Sequence, residues 1–228
     1  MAQSGIHAFS SIVLSKSFKH EKWLAPSIIF GSIFPDIDIV FAALGYLFGL
    51  NIELAESIFH RTFTHSIFSA IIIYIVFLSI SEITSNKKFR IIGKGLFIGI
   101  IAHIILDILL WFKGVHVLWP LPLDPINIWH YDVPPILTKI LFSLEFILFR
   151  IYGWFLINNF VKNPCDDGWF IKYISKWINY ELGLFVLSII FIYFSIPGYK
   201  IFFAITYIPS LIMALISTYI LREVLIVN

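Results

Sequence analysis

The stretch GLFIGIIAHIILDILLWF, residues 95–112, is apolar along its whole length apart from one histidine and one aspartate. A helix that crosses a bilayer needs about 20 mostly apolar residues, and about 17 is the lower end of the range. His103 and Asp107 are spaced i, i+4, so their side chains project from one face of such a helix. Because a charged residue near the bilayer centre costs about 2.5–3.5 kcal/mol, this face is expected to turn toward the interior of a helical bundle.

The composition of the chain extends this interpretation to the whole protein. Of its 228 residues, 59% are hydrophobic and 13% are charged, whereas a soluble domain is about half apolar and about a quarter charged. The net charge is +2, and the sequence contains no basic stripe. We therefore expect the lipid bilayer as the partner and no binding of nucleic acid. The single cysteine, Cys165, excludes an internal disulfide and a cysteine-rich metal site. An all-α, polytopic integral membrane protein is predicted.

Further apolar runs flank this stretch and are separated by short polar joints. The first run, residues 23–50, is broken by FPDID. Because Pro35 suits the first turn of a new helix, this run is predicted to form two half-length helices. The other runs lie at 66–81, 136–161, 182–196 and 201–221, and a soluble-looking joint precedes the last two. We expect a helical bundle of about five to six spans with a broken first hydrophobic segment.

The lysines and arginines of the short loops predict the orientation in the membrane, because such loops remain in the cytoplasm. They precede the first run, follow two later ones and end the last: Lys16, Lys19, Lys22, Lys87, Lys88, Arg90, Lys162, Lys172, Lys176 and Arg222. With these residues at the cytoplasmic face, the loops that contain HRTFTH (60–65) and WPLPLDP (119–125) face outward. The prediction is a multi-pass protein of the cytoplasmic (inner) membrane.

Ionisable residues in and beside the first runs have a structural interpretation, taken one motif at a time. His103 and Asp107 could join two helices as a buried pair, and an aspartate of PDID could cap a helix next to Pro35. The histidines of HRTFTHS, residues 60–66, could form an interfacial cluster in which Thr64 or Ser66 caps the following helix. A lone histidine in an apolar stretch, such as His7, is most often structural.

Taken together, these side chains form a set of imidazole and carboxylate groups that is typical of a metal site: His7, Asp36, Asp38, His60, His65, His103 and Asp107. Without thiolates, the set suits a divalent metal, with zinc first and manganese or iron as alternatives. It exceeds the four ligands of one tetrahedral zinc ion, which favours more than one ion and a shared carboxylate. The spacing of His60 and His65 does not fit one helical face. The metal is therefore expected where the loop turns into a helix, at the membrane edge.

The order of these motifs resembles the YdjM-like family of membrane-bound, metal-dependent hydrolases. The resemblance rests on a histidine near the N-terminus followed by GSIFPDIDI, HRTFTHS, AHIILD and GVHVLWPL, and it covers roughly residues 5–122. It implies a mostly helical membrane protein whose metal centre is similar in style to that of zinc-dependent phospholipase C and nuclease folds. It also implies the same ligand set. Thr62 stands where the family usually has glycine, and His116 lies in the last motif.

These observations predict an enzyme that hydrolyses a phosphoester, in a lipid or lipid-linked substrate, by metal-activated water. Asp36 or Asp38 is expected to accept a proton from the water. Arg61 is expected to bind a phosphate oxygen, because a guanidinium matches phosphate through two contacts, with a headgroup anchor as the alternative. Two other functions stay open. One is transport of metal ions or protons, and the other is a non-catalytic membrane protein with a structural metal.

The motifs also predict how the chain is organised. Residues 1–228 are expected to form a single membrane domain. Within it, 1–122 is the motif-bearing half with the metal site, and 123–228 adds further membrane helices.

Overall fold

The computed structural model describes residues 4–18, 21–110, 112, 114–129 and 133–226. These residues form nine α-helices: α1 Ser4–Ser15, α2 Leu24–Ile33, α3 Ile39–Leu47, α4 Ile52–Phe59, α5 Ile67–Thr84, α6 Lys87–Leu110, α7 Pro135–Lys162, α8 Ile171–Tyr193 and α9 Tyr199–Ile220. They also form four 3-10 helices: Lys16–Phe18, Phe34–Asp38, Phe63–His65 and Asp166–Phe170. The described part has no β-strand, only an isolated bridge between Val115 and Ile126. The predicted all-α fold is confirmed.

The number of membrane spans also agrees with the prediction. Six stretches of the described residues are long and apolar enough to cross a bilayer: Leu24–Leu47, Ile67–Thr84, Lys87–Leu110, Pro135–Lys162, Asp166–Tyr193 and Ile201–Ile220. The chain is therefore a polytopic helical bundle. Two residues used in the predictions, Lys19 of the orientation argument and Trp111 of the 95–112 stretch, lie outside the described residues.

The first span is interrupted where FPDID predicts a break. α2 ends at Ile33, the 3-10 helix follows, and α3 begins at Ile39. Pro35 lies in the first turn of the 3-10 helix, where its missing N–H costs no helical hydrogen bond. The break leaves Asp36 and Asp38 in the interior of the bundle, with 0% and 2% of their surface exposed.

One predicted boundary is wrong. The joint before the last two apolar runs is itself largely helical, because a 3-10 helix covers Asp166–Phe170 and α8 begins at Ile171 rather than near 182. Ile174 and Trp177 of this segment are buried in the core, whereas Lys172 and Lys176 remain outside it. The exposed side of these first turns is polar, so counting apolar residues does not reveal them.

Small residues bring α2 and α6 into close contact. A side chain at Gly31 would place its Cβ 2.6 Å from the carbonyl oxygen of Leu96, and one at Gly99 would overlap the carbonyl of Ile28. Ser32 Oγ donates to the carbonyl of Gly99 at 3.2 Å across the same contact. Such close approach is the usual way in which membrane helices associate, since lipid gives them no hydrophobic drive to pack.

We therefore expect Gly99→Ala to destabilise the protein by about 1–3 kcal/mol, because an overpacked contact forces backbone to move. Gly183→Ala in α8 is the matched control, since nothing lies within 4 Å of a Cβ at that position. Thermal unfolding in detergent should show a lower midpoint for Gly99→Ala and an unchanged or higher one for Gly183→Ala. Equal midpoints for the two variants would contradict the close α2–α6 contact.

The short helix α1 begins inside the bundle and is held there by the C-terminal helices. The backbone N–H of Gly5 donates to Glu145 Oε2 of α7 at 2.5 Å, and that of Ser4 donates to the Tyr207 hydroxyl of α9 at 3.1 Å. The first N–H groups of a helix have no partner within the helix, and an apolar interior offers no water to replace one. Glu145 and Tyr207 therefore fix where α1 starts, and with it the position of His7.

Candidate metal centre

The structure brings the predicted ligand residues into one buried cluster. Asp36 and Asp38 come from the 3-10 helix of the first span, and His60 and His65 from the segment between α4 and α5. The remaining three come from α1 and α6. Each of the seven exposes at most 6% of its surface: His7, Asp36, Asp38, His60, His65, His103 and Asp107. Residues that are widely separated in the sequence thus share one polar pocket inside an apolar bundle.

Four of these side chains converge on one point. His65 Nε2 lies 3.0 Å from His103 Nε2, 3.6 Å from Asp36 Oδ1 and 3.4 Å from Asp107 Oδ2. His103 Nε2 lies 3.7 Å from the same oxygen of Asp36 and 3.9 Å from that of Asp107. Ligand atoms about 2.0–2.1 Å from a tetrahedral zinc ion are about 3.3 Å apart. The observed separations bracket this value.

The cluster also divides into two groups that could each hold a metal ion. One consists of His7, His103 and Asp107 and the other of Asp36, His60 and His65, and within each group the ligand atoms lie within 4.8 Å of one another. Each group supplies two imidazoles and one carboxylate. Because Asp36 also faces His103 and Asp107 also faces His65, either carboxylate is placed to be shared, as in sites with two metal ions.

The backbone after α4 turns sharply and presents both histidines. His60 has an extended conformation after the last residue of α4, Arg61 has a positive φ of 63°, and His65 ends a short 3-10 helix. Ser66 then caps α5 by accepting from the N–H of Phe68. Of the two predicted caps, Ser66 takes the role and Thr64 does not. This segment has the loop-to-helix geometry that the five-residue spacing predicts.

Asp38 holds this turn in place. Its Oδ1 lies 2.5 Å from His60 Nδ1, and its Oδ2 accepts from the backbone N–H of Arg61 at 3.1 Å and from Thr64 Oγ1 at 2.5 Å. The same oxygen is 3.2 Å from His65 Nδ1. A carboxylate that binds the outer nitrogen of a ligating histidine fixes the orientation of its ring. Asp38 does this for both histidines of the turn.

The ring of His103 is oriented by α2. Its Nδ1 lies 2.7 Å from the carbonyl oxygen of Ser32, and because a carbonyl only accepts, this nitrogen carries the hydrogen. The lone pair of neutral His103 is then on Nε2, which faces the centre of the cluster. The ring of His7 stacks on that of His103, with centroids 3.6 Å apart. The close α2–α6 contact thus sets the direction of a predicted ligand.

The electrostatic balance of the cluster favours a cation. Arg61 Nε donates to Asp107 Oδ2 at 2.7 Å. Among the described residues, no other lysine or arginine forms an ion pair with a carboxylate of the cluster. Burial disfavours the charged form of His65, but Asp38 and Asp36 outweigh it and raise the pKa of His65 to about 9. Burial lowers the pKa of His60 despite the nearby Asp38. Carboxylates that draw a proton onto a buried histidine would also attract a metal ion.

Several buried atoms of the cluster lack a hydrogen-bond partner among the described residues. They include Asp36 Oδ1, His60 Nε2 and His7 Nδ1. Buried polar atoms are nearly always satisfied, so an unsatisfied one calls for an explanation such as a bound ion. Imidazole nitrogen and carboxylate oxygen are ligands that zinc, manganese and iron accept. The residues present therefore fit a divalent metal.

Some residues around the cluster were not singled out by sequence reasoning. Ser4 Oγ donates to Asp36 Oδ2 at 2.6 Å and lies 2.6 Å from the Tyr207 hydroxyl. Tyr207 and Ser4 are separated by most of the chain, so no local pattern could connect them. Glu145 stands out in the sequence as an ionisable residue within a predicted span, where it is expected to face the bundle, but its contact with α1 is not predicted. His116 is not a member of either candidate metal-binding group in the described residues.

Comparisons with known proteins identify the family of the chain. A family model described as "YdjM inner membrane protein" matches residues 2–202. A protein of Bacillus subtilis (strain 168) with the name "Uncharacterized protein YvsG" is 34% identical over 99 residues, which cover 42% of this chain and 57% of that protein. The chain thus spans little more than half the length of this relative. No solved structure gives a significant match.

Proposed function

The chain belongs to the YdjM inner membrane protein family, and we propose that it acts as a metal-dependent hydrolase that cleaves a phosphoester at the membrane. The observation that carries the proposal is the convergence of four imidazoles and two carboxylates on adjoining positions inside the bundle. A bound divalent metal supplies a Lewis acid for a phosphoryl oxygen and lowers the pKa of its water toward neutrality. We expect zinc, with manganese or iron as alternatives, and more than one ion.

The predicted residues divide by what their atoms contact. The six members of the two groups are the proposed ligands. Asp38, predicted both as a ligand and as a base, has both oxygens engaged by His60, Arg61 and Thr64, so its proposed role is to orient the turn. Asp36 retains one oxygen, Oδ1, without a hydrogen-bond partner, so of the two aspartates it is the one that can act either as a ligand or as the proton acceptor. Arg61 neutralises Asp107 and presents a guanidinium that suits a phosphate.

The position of the cluster along the spans suits an amphipathic substrate. With a rise of about 1.5 Å per residue, His103 lies about 24 Å along α6 from Lys87, in a hydrocarbon layer about 30 Å thick. The cluster is therefore nearer to the end of the bundle that is predicted to face outward. A phosphoester in a lipid or lipid-linked molecule has its phosphate in the headgroup region next to this end of the bundle, and this is the proposed substrate class. The two halves, 1–122 and 123–228, act as one domain in this proposal, because Glu145 and Tyr207 of the second half support α1.

A structural metal site is the second candidate. The observation that favours it is the complete burial of His65 and His103, each 0% exposed, since structural sites are closed by protein ligands and catalytic sites keep a position open. Metal content alone does not separate the two functions, whereas turnover does. Transport of a metal ion or proton is a further outcome that a flux measurement in vesicles would reveal.

The proposed function is tested on the full chain purified in detergent. We expect elemental analysis to find divalent metal and a screen of phosphomonoesters, phosphodiesters and carboxylic esters to show turnover of a phosphoester. His103→Ala should lose both bound metal and turnover, while His116→Ala, outside both groups, should keep them. Wild-type protein without bound metal would overturn the metal centre. Bound metal without turnover of any of these substrates would favour the structural site.

A further inference from the structure

A second site lies at the opposite end of the bundle, in a groove between α2, α5, α6 and α9. The groove has a volume of about 360 Å³. At its rim, Lys88 Nζ lies 3.8 Å from the centre of the Trp23 ring. The guanidinium carbon of Arg222 lies 5.9 Å from the same ring and 5.2 Å from the ring of Tyr219. Two cations from distant parts of the chain thus meet at one tryptophan.

These two cations have no carboxylate partner within 4.0 Å in the part of the chain that the structure describes. The ion pairs found there for lysine or arginine are those of Arg61 with Asp107 and of Lys94 with Glu21. Glu21, the carboxylate just before Trp23, is therefore engaged by Lys94. Like charges brought close together repel unless an anion lies between them. Arg222 donates to the carbonyl oxygen of Tyr219 at 2.9 Å, but the rim of the groove carries two positive charges without a carboxylate partner among the described residues.

The groove changes from polar to apolar with depth. Below the rim its walls are apolar side chains of three spans, including Phe30 of α2, Phe77 of α5 and Leu96 of α6. The rim itself lies where α2 and α6 begin and α9 ends, at the end of the bundle that carries the lysine and arginine clusters. By the charge bias of its loops, this is the predicted cytoplasmic end. Tryptophan and tyrosine are common at this level of a membrane.

We propose that this groove binds one anionic phospholipid of the cytoplasmic leaflet. Its phosphate lies between Lys88 and Arg222, and one acyl chain runs along Phe30, Phe77 and Leu96. Basic pockets between membrane helices on the cytoplasmic side suit such headgroups, which also compensate the paired cations. The apolar walls distinguish a lipid from a free phosphate ion, which would gain nothing from them. The site is separate from the metal centre, and its proposed ligand does not depend on the proposed hydrolysis.

The bound lipid would connect the two halves of the protein. Lys88 lies in the first turn of α6, which carries His103 and Asp107, and Arg222 follows α9, which carries Tyr207. A phosphate held by both side chains ties the inner ends of these helices together. The lipid thereby links two helices that carry, toward the other end of the bundle, His103 and Asp107 of the candidate metal centre and Tyr207, which supports α1.

Binding is measured by native mass spectrometry of the full chain in detergent, titrated with phosphatidylglycerol or with zwitterionic phosphatidylcholine of the same acyl chains. Each of these substitutions removes one basic residue, whose usual contribution to lipid binding near a membrane surface corresponds to about a fivefold change in affinity. Lys88→Gln and Arg222→Gln should therefore each weaken phosphatidylglycerol binding about fivefold, and the double variant should weaken it about thirtyfold. Lys87→Gln is the matched control, because this neighbouring side chain is exposed and does not line the groove. It should change the affinity less than about twofold.

Three outcomes would overturn the proposal. One is equal binding of phosphatidylcholine and phosphatidylglycerol, and another is an equal loss for Lys87→Gln and Lys88→Gln. The third is competition by glycerol phosphate at the concentration at which the lipid binds, which would indicate a free-phosphate site. Thermal unfolding of each variant without added lipid shows that the fold is retained, and Lys88→Gln alone is decisive if Arg222→Gln does not fold.

Discussion

Asp107→Asn is expected to remove bound metal and to lower turnover by at least about 100-fold, since even residues that only support metal ligands cost about 10–100-fold. Asp107 faces both groups of the centre. Its Oδ1 is 3.1 Å from His7 Nε2 and its Oδ2 is 2.7 Å from Arg61 Nε and 3.4 Å from His65 Nε2. The amide of asparagine removes the negative charge and can place an N–H₂ group next to Arg61 Nε, which is itself a hydrogen-bond donor. Metal stoichiometry and phosphoester turnover are measured together.

Asp124→Asn is the matched control, because this aspartate lies exposed in the loop between α6 and α7. It should leave both quantities unchanged. Breaking a buried ion pair such as that of Asp107 with Arg61 costs about 3–5 kcal/mol, so helical content and gel filtration must first show a folded variant. If Asp107→Asn does not fold, His7→Ala tests the same group while keeping the ion pair of Asp107 with Arg61. Full metal content in the folded Asp107→Asn variant would contradict its proposed role as a ligand.

Asp38→Asn has the second largest expected effect, and it separates the two roles that have been suggested for this residue. If Asp38 acts by orienting His60 and His65, its loss should weaken metal affinity about 10–100-fold. The variant should then still bind metal when the metal is supplied in excess. A direct ligand would instead behave like Asp107. The affinity is measured by competition with a chelator of known strength, with Glu53→Gln, an exposed carboxylate of α4, as the control. Unchanged affinity would exclude both roles.

The sequence predicts the helical architecture well because the apolar runs are long and their interruptions are chemically distinct. Pro35 marks the break of the first span, and the spacing of His103 and Asp107 places both on one helix face, as observed. The apolar runs do not predict the start of α8, because only a narrow face of its first turns is buried. The apolar runs do not predict α4, because this helix is short. Asn51, whose side chain accepts from the N–H of Leu54, is nevertheless a typical cap residue for its start.

The residues of the candidate centre could be assembled from their chemistry, but the division of roles among them could not. Asp36 and Asp38 are equivalent in the motif PDID. They differ only because Asp38 meets the turn that follows α4 whereas Asp36 meets Ser4. Such differences depend on contacts between segments that local patterns do not connect. The same holds for Glu145, whose position in a span is detectable but whose bond to Gly5 is not.

The anchoring of α1 also sets an order of assembly. Ser4 and the Tyr207 hydroxyl to which its N–H donates are 203 residues apart, and a chain is synthesised from its N-terminus. The helix that carries His7 therefore emerges long before α7 and α9, which supply its anchors at Glu145 and Tyr207. The centre can be completed only when the last span has been inserted, so a chain interrupted before α9 would lack a support for His7.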